Sequence, residues 1–99
     1  MFKTKLGTNK GLQRSRVWIE GKRLTESGFY RGALYNREYG KTSIILTLSE
    51  SGSLRVSGKA DKPIIDMTGK SVSLWFEGYE SAFVYYARNQ IIIKRGEPL

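Results

Sequence analysis

Residues 16–32 read RVWIEGKRLTESGFYRG, and this stretch decides the fold. Its first residues alternate, with Val17 and Ile19 on one face, which predicts a β-strand with one buried side. A Gly-Lys turn follows, and residues 25–27 leave room for one helical turn, which Gly28 ends as a glycine commonly does. We therefore expect a strand, a turn, a very short helix and a loop rich in glycine, in this order.

The rest of the chain adds short β-rich runs and no helical period that lasts for ten residues. Strands are predicted at residues 33–39, 42–48, 54–56, 64–67, 82–87 and 90–95, and residues 71–76 read as strand or turn. Residues 1–15 carry several cations and no acid, which predicts a flexible basic N-terminal arm. The 99 residues thus predict one mostly β domain at residues 16–99 behind this arm.

The second half of the domain resembles the first at an offset near 47 residues. The matches place Val17-Trp18 over Ile64-Ile65, Phe29 over Phe76, and Ile44-Ile45-Leu46 over Ile91-Ile92-Ile93. These matches indicate two repeat halves, at residues 16–48 and 63–95.

The order of motifs in residues 16–48 resembles the SymE-like branch of the AbrB/MazE superfamily. The matching elements are the turn Gly21-Lys22-Arg23-Leu24, the loop Gly28-Phe29-Tyr30-Arg31-Gly32, and the strands at 34–38 and 44–48. The resemblance implies a small β-barrel made of two ββ(α)ββ-like halves, usually from two subunits. With both halves in one chain, we expect a barrel closed as a pseudo-dimer, either monomeric or as a homodimer. Residues 55–67 also resemble an extension found in mobile-element proteins.

The charge balance indicates a polyanionic partner, because 17 Lys and Arg stand against nine Asp and Glu, a formal charge of +8. The cations form three clusters: an N-terminal cluster (Lys3, Lys5, Lys10, Arg14 and Arg16), a Gly21-turn cluster (Lys22, Arg23 and Arg31), and a cluster in the connection between the halves (Arg55, Lys59 and Lys62). Lys and Arg on loops rich in Gly or Ser can follow a phosphate backbone. The predicted nucleic-acid-binding residues are Lys3, Lys5, Lys10, Arg14, Arg16, Lys22, Arg23, Arg31, Arg55, Lys59 and Lys62.

Catalytic and metal chemistry find little support in the composition. The chain has no His and no Cys, so the usual general base, the imidazole triads and thiolate zinc sites are all excluded. No phosphate-binding glycine motif occurs. The carboxylates show no spacing typical of an acid–base or metal pair, and Asp66, between Ile65 and Met67, is expected to be buried in a turn. We predict no catalytic residue, no metal and no cofactor.

The aromatic residues divide into two groups. Trp18, Phe29, Trp75, Phe76, Phe83 and Tyr85 are expected in the core, and Tyr30, Tyr35, Tyr39, Tyr79 and Tyr86, which lie beside charges, are expected to face outward. Exposed rings beside Arg can stack on unpaired bases.

These observations predict a non-catalytic nucleic-acid-binding protein, with DNA favoured over RNA. A DNA-binding regulator or antitoxin-type module of a mobile element fits its size. Two alternatives stay open: an RNA-cleaving toxin, as the SymE resemblance implies, and a protein-interaction inhibitor of a host defence complex. The chain has no signal-like start and no run of about 20 apolar residues, so we expect a cytoplasmic protein with no membrane partner.

Overall fold

The computed structural model describes residues 1–9 and 14–99. Strands hold 52% of the described residues and helices 12%, which confirms the prediction of a mostly β protein. The strands are β1 (Phe2–Lys5), β2 (Gly7–Asn9), β3 (Arg14–Glu20), β4 (Leu34–Tyr39), β5 (Ile44–Leu48), β6 (Leu54–Arg55), β7 (Ser57–Lys59), β8 (Lys62–Met67), β9 (Ser81–Ala87) and β10 (Gln90–Arg95). The helices are α1 (Lys22–Glu26) and α2 (Lys70–Trp75).

The predicted strands are found within a few residues of their expected bounds, because alternation decides them. In β10, for example, Ile91 and Ile93 are fully buried and Lys94 is exposed. The prediction of strand or turn at residues 71–76 is wrong, because α2 lies there. The only helical pattern in this stretch is the pair Val72 and Phe76, which are four residues apart and both buried, as residues on one helix face are.

All strand pairs are antiparallel and form two sheets. The larger sheet has the order β1-β9-β10-β5-β4-β6, and the smaller has β2-β3-β8-β7. The expected closed barrel is not formed by the described residues. The chain passes between the sheets at Leu6 and Val56, whose amides donate to the carbonyl oxygens of Glu80 and Ala33, both at 2.9 Å. At these two residues the chain leaves one sheet and enters the other. The edge strands are therefore β1 and β6 in the larger sheet and β2 and β7 in the smaller.

The hydrophobic core lies between the sheets. Val17, Ile19, Ile65 and Met67 face inward from the smaller sheet. The larger sheet and the helix regions contribute Tyr35, Ile44, Leu46, Ala82, Val84, Ile91, Ile93, Leu24, Phe29, Val72 and Phe76. Each fully buried Val, Leu, Ile, Phe or Met side chain contributes about 1.5–3 kcal/mol of stability relative to the same side chain left exposed. Neither helix in the described part of the chain is long and apolar enough to cross a membrane.

The two halves of the chain have the same arrangement. The order β3-α1-β4-β5 recurs as β8-α2-β9-β10, and β3 pairs with β8 while β5 pairs with β10. Trp18 pairs with Asp66, 48 residues later, and Ile45 pairs with Ile92, 47 residues later. A pseudo-two-fold axis therefore passes between the members of each pair. The first strand aligns at 48, so Val17 corresponds to Ile65 rather than to Ile64.

The strands of residues 1–9 correct the prediction of a flexible arm at residues 1–15 for this part of the arm, and residues 10–13 lie outside the described residues. β1 pairs with β9 and β2 pairs with β3, so this segment belongs to the domain. The pairing is possible because Leu6 packs against the core and the ring of Phe2 contacts that of Tyr86 at 5.6 Å. By the pseudo-symmetry, β1-β2 corresponds to β6-β7, and each half thus extends beyond the predicted bounds.

Candidate nucleic-acid interface

The outer face of the smaller sheet carries the polar residues of β3 and β8. Because strands alternate, Arg16, Trp18 and Glu20 lie opposite the buried side of β3. On β8, Ile64 and Asp66 share this face, since they pair with Glu20 and Trp18. This face is therefore charged and carries one large ring.

Trp18 lies at the centre of this face and is 40% exposed. The guanidinium carbon of Arg16 lies 4.7 Å from the centre of its ring. Arg16 also donates two hydrogen bonds to Asp66, from Nε to Oδ1 and from Nη2 to Oδ2, both at 2.8 Å. These bonds raise the pKa of Arg16 and hold its guanidinium beside the indole. The expectations that Trp18 is in the core and Asp66 is buried are therefore both wrong.

A concavity of about 510 Å³ lies at the end of this face near the β7–β8 turn. Trp18 and Ile64 form its apolar part, and Lys59 and Lys62 form its basic part. Lys62 Nζ lies 3.6 Å from Glu20 Oε2, across the strand pair. Both lysines flank the turn, and both are exposed.

Gly58 gives this corner its tight geometry. Its φ is +89°, and a Cβ atom there would clash with the backbone oxygen of Lys62. Only glycine fits the close approach of β7 to β8 at this position.

The loop after α1 brings a third cation to the same corner. The amide of Gly32 donates to the carbonyl of Val56 at 2.8 Å, just before β7. Tyr30, Arg31 and Gly32 then share a concavity of about 440 Å³ with Ala60, which lies between the two lysines in the chain. Tyr30 is 60% exposed. We define the basic corner as Trp18, Tyr30, Arg31, Lys59 and Lys62.

The basic corner joins two of the three predicted clusters. Arg31 comes from the Gly21-turn cluster, and Lys59 and Lys62 come from the connection. Of these three cations, only Lys62 forms an ion pair within the described part of the chain, with Glu20, and the exposed Asp61 lies in the same β7–β8 turn.

Of the other predicted site residues, Arg16 lies beside Trp18 of the basic corner, and the rest that the structure describes lie elsewhere. Lys3 forms an ion pair with Glu97 at 2.8 Å, which raises the pKa of Lys3. Lys5 and Arg55 lie on the edge strands β1 and β6 of the larger sheet, and Lys22 lies at the first position of α1. The positions of the remaining members are as follows: Arg16 pairs with Asp66, Arg23 covers the ring of Phe2, Arg14 begins β3, and Lys10 is outside the described residues.

Arg14 is far from the basic corner. It lies four residues before Trp18 on β3, and Lys62 lies four residues before Asp66 on β8, which runs the opposite way. At about 3.4 Å per residue, the two positions are about 27 Å apart along the sheet. Arg14 therefore lies outside the basic corner, whereas Arg16 of the same cluster contacts Trp18 within it.

Two aromatic expectations also need correction. Tyr35, expected outside, is only 5% exposed and packs edge-on against Phe29 at 5.9 Å. Tyr85, expected in the core, is exposed on the outer face of the larger sheet. Alternation explains both, because Tyr35 lies on the inward side of β4 and Tyr85 on the outward side of β9.

The described residues contain no group of three acidic side chains able to hold a metal ion. No protein-family model, curated protein or solved structure matches this chain. The resemblance to SymE-like proteins therefore stays a prediction, and the function has to be argued from the side chains.

Proposed function

We propose that this protein is a non-catalytic nucleic-acid-binding protein, with DNA as the favoured partner, and that it binds through the basic corner. One observation carries the proposal. Residues from three separate segments bring three cations and two exposed rings to one corner of a sheet. Charged residues that only keep the surface hydrated do not have to come together from three segments.

The chemistry of the basic corner suits a phosphate backbone with accessible bases. Arg31, Lys59 and Lys62 can each neutralise a phosphate and release a counterion. The exposed faces of Trp18 and Tyr30 can stack on bases wherever these are unpaired. The excess of cations over the whole chain, +8, adds a long-range attraction that speeds association.

The biological role rests on the sequence resemblance. The AbrB relatives that the chain resembles include DNA-binding regulators and antitoxins, and the stretch at 55–67 resembles mobile-element proteins. The pseudo-two-fold arrangement of two β-α-β-β halves is compatible with an AbrB/SymE-like fold contained in one chain. A regulator or antitoxin-type module of a mobile element, acting as a monomeric pseudo-dimer, is the role that we propose.

Fluorescence anisotropy with labelled duplex DNA, single-stranded DNA and RNA tests the proposal. The informative variant changes Arg31, Lys59 and Lys62 to Gln. Its matched control changes Lys41, Lys70 and Lys94 to Gln, which removes the same charge from exposed positions on other elements. Each lost phosphate contact lowers the affinity for duplex by about eightfold at 0.1 M salt, since the salt slope changes by about 0.9 per contact.

We expect the basic-corner variant to lose duplex affinity by about two orders of magnitude or more, and the control to lose much less. Equal losses in the two variants would mean that only net charge matters and would overturn the assignment of the basic corner. No binding to any of the three polymers at low salt would overturn the nucleic-acid function itself.

A further inference from the structure

A third concavity, of about 400 Å³, lies between α1 and the β9–β10 turn. The pseudo-symmetry shows why it is open. In the second half, Trp75 fills the corresponding place, and its indole Nε1 donates to the carbonyl of Gly40 at 2.8 Å. In the first half, the residue 48 positions earlier is Ser27, and Ala87 stands 47 positions after Gly40. Both Ser27 and Ala87 line the concavity.

Hydrogen bonds also join the end of each helix to the hairpin of the other half. The carbonyl of Ser27 accepts a hydrogen bond from the amide of Asn89 in the β9–β10 turn, at 2.8 Å. The carbonyl of Trp75 accepts one from Nε of Arg95, whose Nη1 donates to the carbonyl of Lys41 in the β4–β5 turn. Each helix end is thus tied to the hairpin turn of the other half. The first half has a small hydroxyl where the second half has an indole.

The walls of this concavity are aromatic and basic. The guanidinium carbon of Arg23 lies 3.6 Å from the centre of the Phe2 ring, and Tyr86 meets Phe2 edge-on. Arg88, in the β9–β10 turn, also lines the concavity. Within residues 1–9 and 14–99, neither arginine forms an ion pair, although Glu26 also lines the concavity. The place of an indole is therefore open and has cationic groups at its rim.

We propose that this concavity binds one nucleotide, with the base packed on the Phe2–Arg23 stack and the phosphate paired with Arg88. A base is planar and of indole-like size, and bases stack on both aromatic rings and guanidinium planes. Arg pairs with phosphate through two parallel hydrogen bonds. The proposal rests on the proposed nucleic-acid-binding function and adds to it a site for an unpaired nucleotide, about which the basic corner says nothing.

The ligand is either an unpaired nucleotide of a bound strand or a free nucleotide, and two probes separate these sources. The first is AMP, with adenosine as its phosphate-free partner, and binding is followed by NMR shifts of the Arg88 and Asn89 amides. The second is a pair of labelled duplexes, one blunt and one with a single-stranded overhang. A strand nucleotide gives tighter binding of the overhang duplex, whereas a free nucleotide gives AMP binding with no overhang preference. Either result supports the site.

Three variants make the test specific. Arg88→Gln should weaken AMP binding, or the overhang preference, by about tenfold or more and leave adenosine binding unchanged, because the lost hydrogen bond is charge-assisted. Lys41→Gln, at the position equivalent to Arg88, is the matched control and should change neither. Ser27→Trp places an indole where the second half has one and should remove all nucleotide binding. If Ser27→Trp fails to fold, the two other variants still decide the matter.

The proposal is overturned if AMP does not bind at millimolar concentration and the overhang gives no advantage. It is also overturned if Lys41→Gln matches Arg88→Gln. Failure of the proposed function looks different, because blunt duplex binding depends on the basic corner and not on Ser27. No binding to duplex DNA, single-stranded DNA or RNA, together with AMP binding that Arg88→Gln weakens, would overturn that function and leave the nucleotide site standing.

Discussion

Replacing Gly58 by alanine tests how the basic corner is built. Gly58 has φ +89°, a conformation that costs an L-residue about 1–2 kcal/mol. The new Cβ would also clash with the backbone oxygen of Lys62 and would lie 3.0 Å from the amide nitrogen of Ile64. Backbone cannot move aside as a flexible side chain can, so β7 has to separate from β8.

Gly32 is the matched control for this prediction. Its φ is +87°, but a Cβ there meets nothing within 4 Å. Gly32→Ala should therefore lower the free energy of unfolding only by the cost of placing alanine in the left-handed region, about 1–2 kcal/mol. Gly58→Ala also loses about two ladder hydrogen bonds between β7 and β8, at about 1 kcal/mol each. We expect a total of about 3–4 kcal/mol, and thus a difference of about 2 kcal/mol between the variants.

Urea unfolding, followed by tryptophan fluorescence, measures both free energies. The difference between the two variants isolates the clash, because the left-handed cost is common to them. If Gly58→Ala is no less stable than Gly32→Ala, the close approach of β7 to β8 is refuted, and with it the placement of Lys59 and Lys62 in the basic corner.

Three further predictions concern the face of the small sheet, the core and the effect of pH. Trp18→Ala should change the free energy of unfolding by less than about 1 kcal/mol, since the ring is on the surface. It should weaken the binding of single-stranded DNA by about 1–3 kcal/mol in anisotropy titrations. Tyr85→Ala removes an exposed ring from the other sheet and should leave that binding unchanged. Phe29→Ala and Phe76→Ala should each lower the free energy of unfolding by about 3–5 kcal/mol in urea titrations, because both rings are fully buried, and a loss below about 1 kcal/mol would contradict the core. Burial raises the pKa of Tyr35 above its ordinary value of 10.0, so the unfolded chain releases this proton at a lower pH than the folded one. The free energy of unfolding therefore falls as the pH rises above 10. Urea titrations from pH 9 upward should show a shallower fall of this free energy in Tyr35→Phe, and an unchanged fall would refute this contribution.

The strands could be predicted because their signal is local. β5 and β10 alternate buried isoleucine and leucine with outward residues, and this pattern is visible without a structure. The strand β1 could not be predicted, because its residues Phe2–Lys5 are mostly exposed and charged. Its pairing with β9 is a contact between residues about 80 positions apart, and no local pattern encodes it.

The candidate site could be predicted in part. The cations Lys59 and Lys62 stand out in the sequence, and so does Arg31. Their meeting depends on the bond between the Gly32 amide and the Val56 carbonyl, which joins distant segments. The position of Trp18 was readable, since the alternation of Val17 and Ile19 places it on the outer face. Its size and apolar character favour the core, but Val17 and Ile19 occupy the inner face of β3, so Trp18 lies on the outer face.

NMR titration of the isotope-labelled chain with duplex DNA tests the central claim most directly. The backbone amides of residues 30–32 and 58–62 form the basic corner and its turns, and those of residues 43–48 lie on β5 of the other sheet. We expect the largest shift changes at 30–32, 58–62 and Trp18, with those of residues 43–48 unmoved. Changes that are confined to the larger sheet, or spread evenly over all exposed lysines and arginines, would contradict the claim.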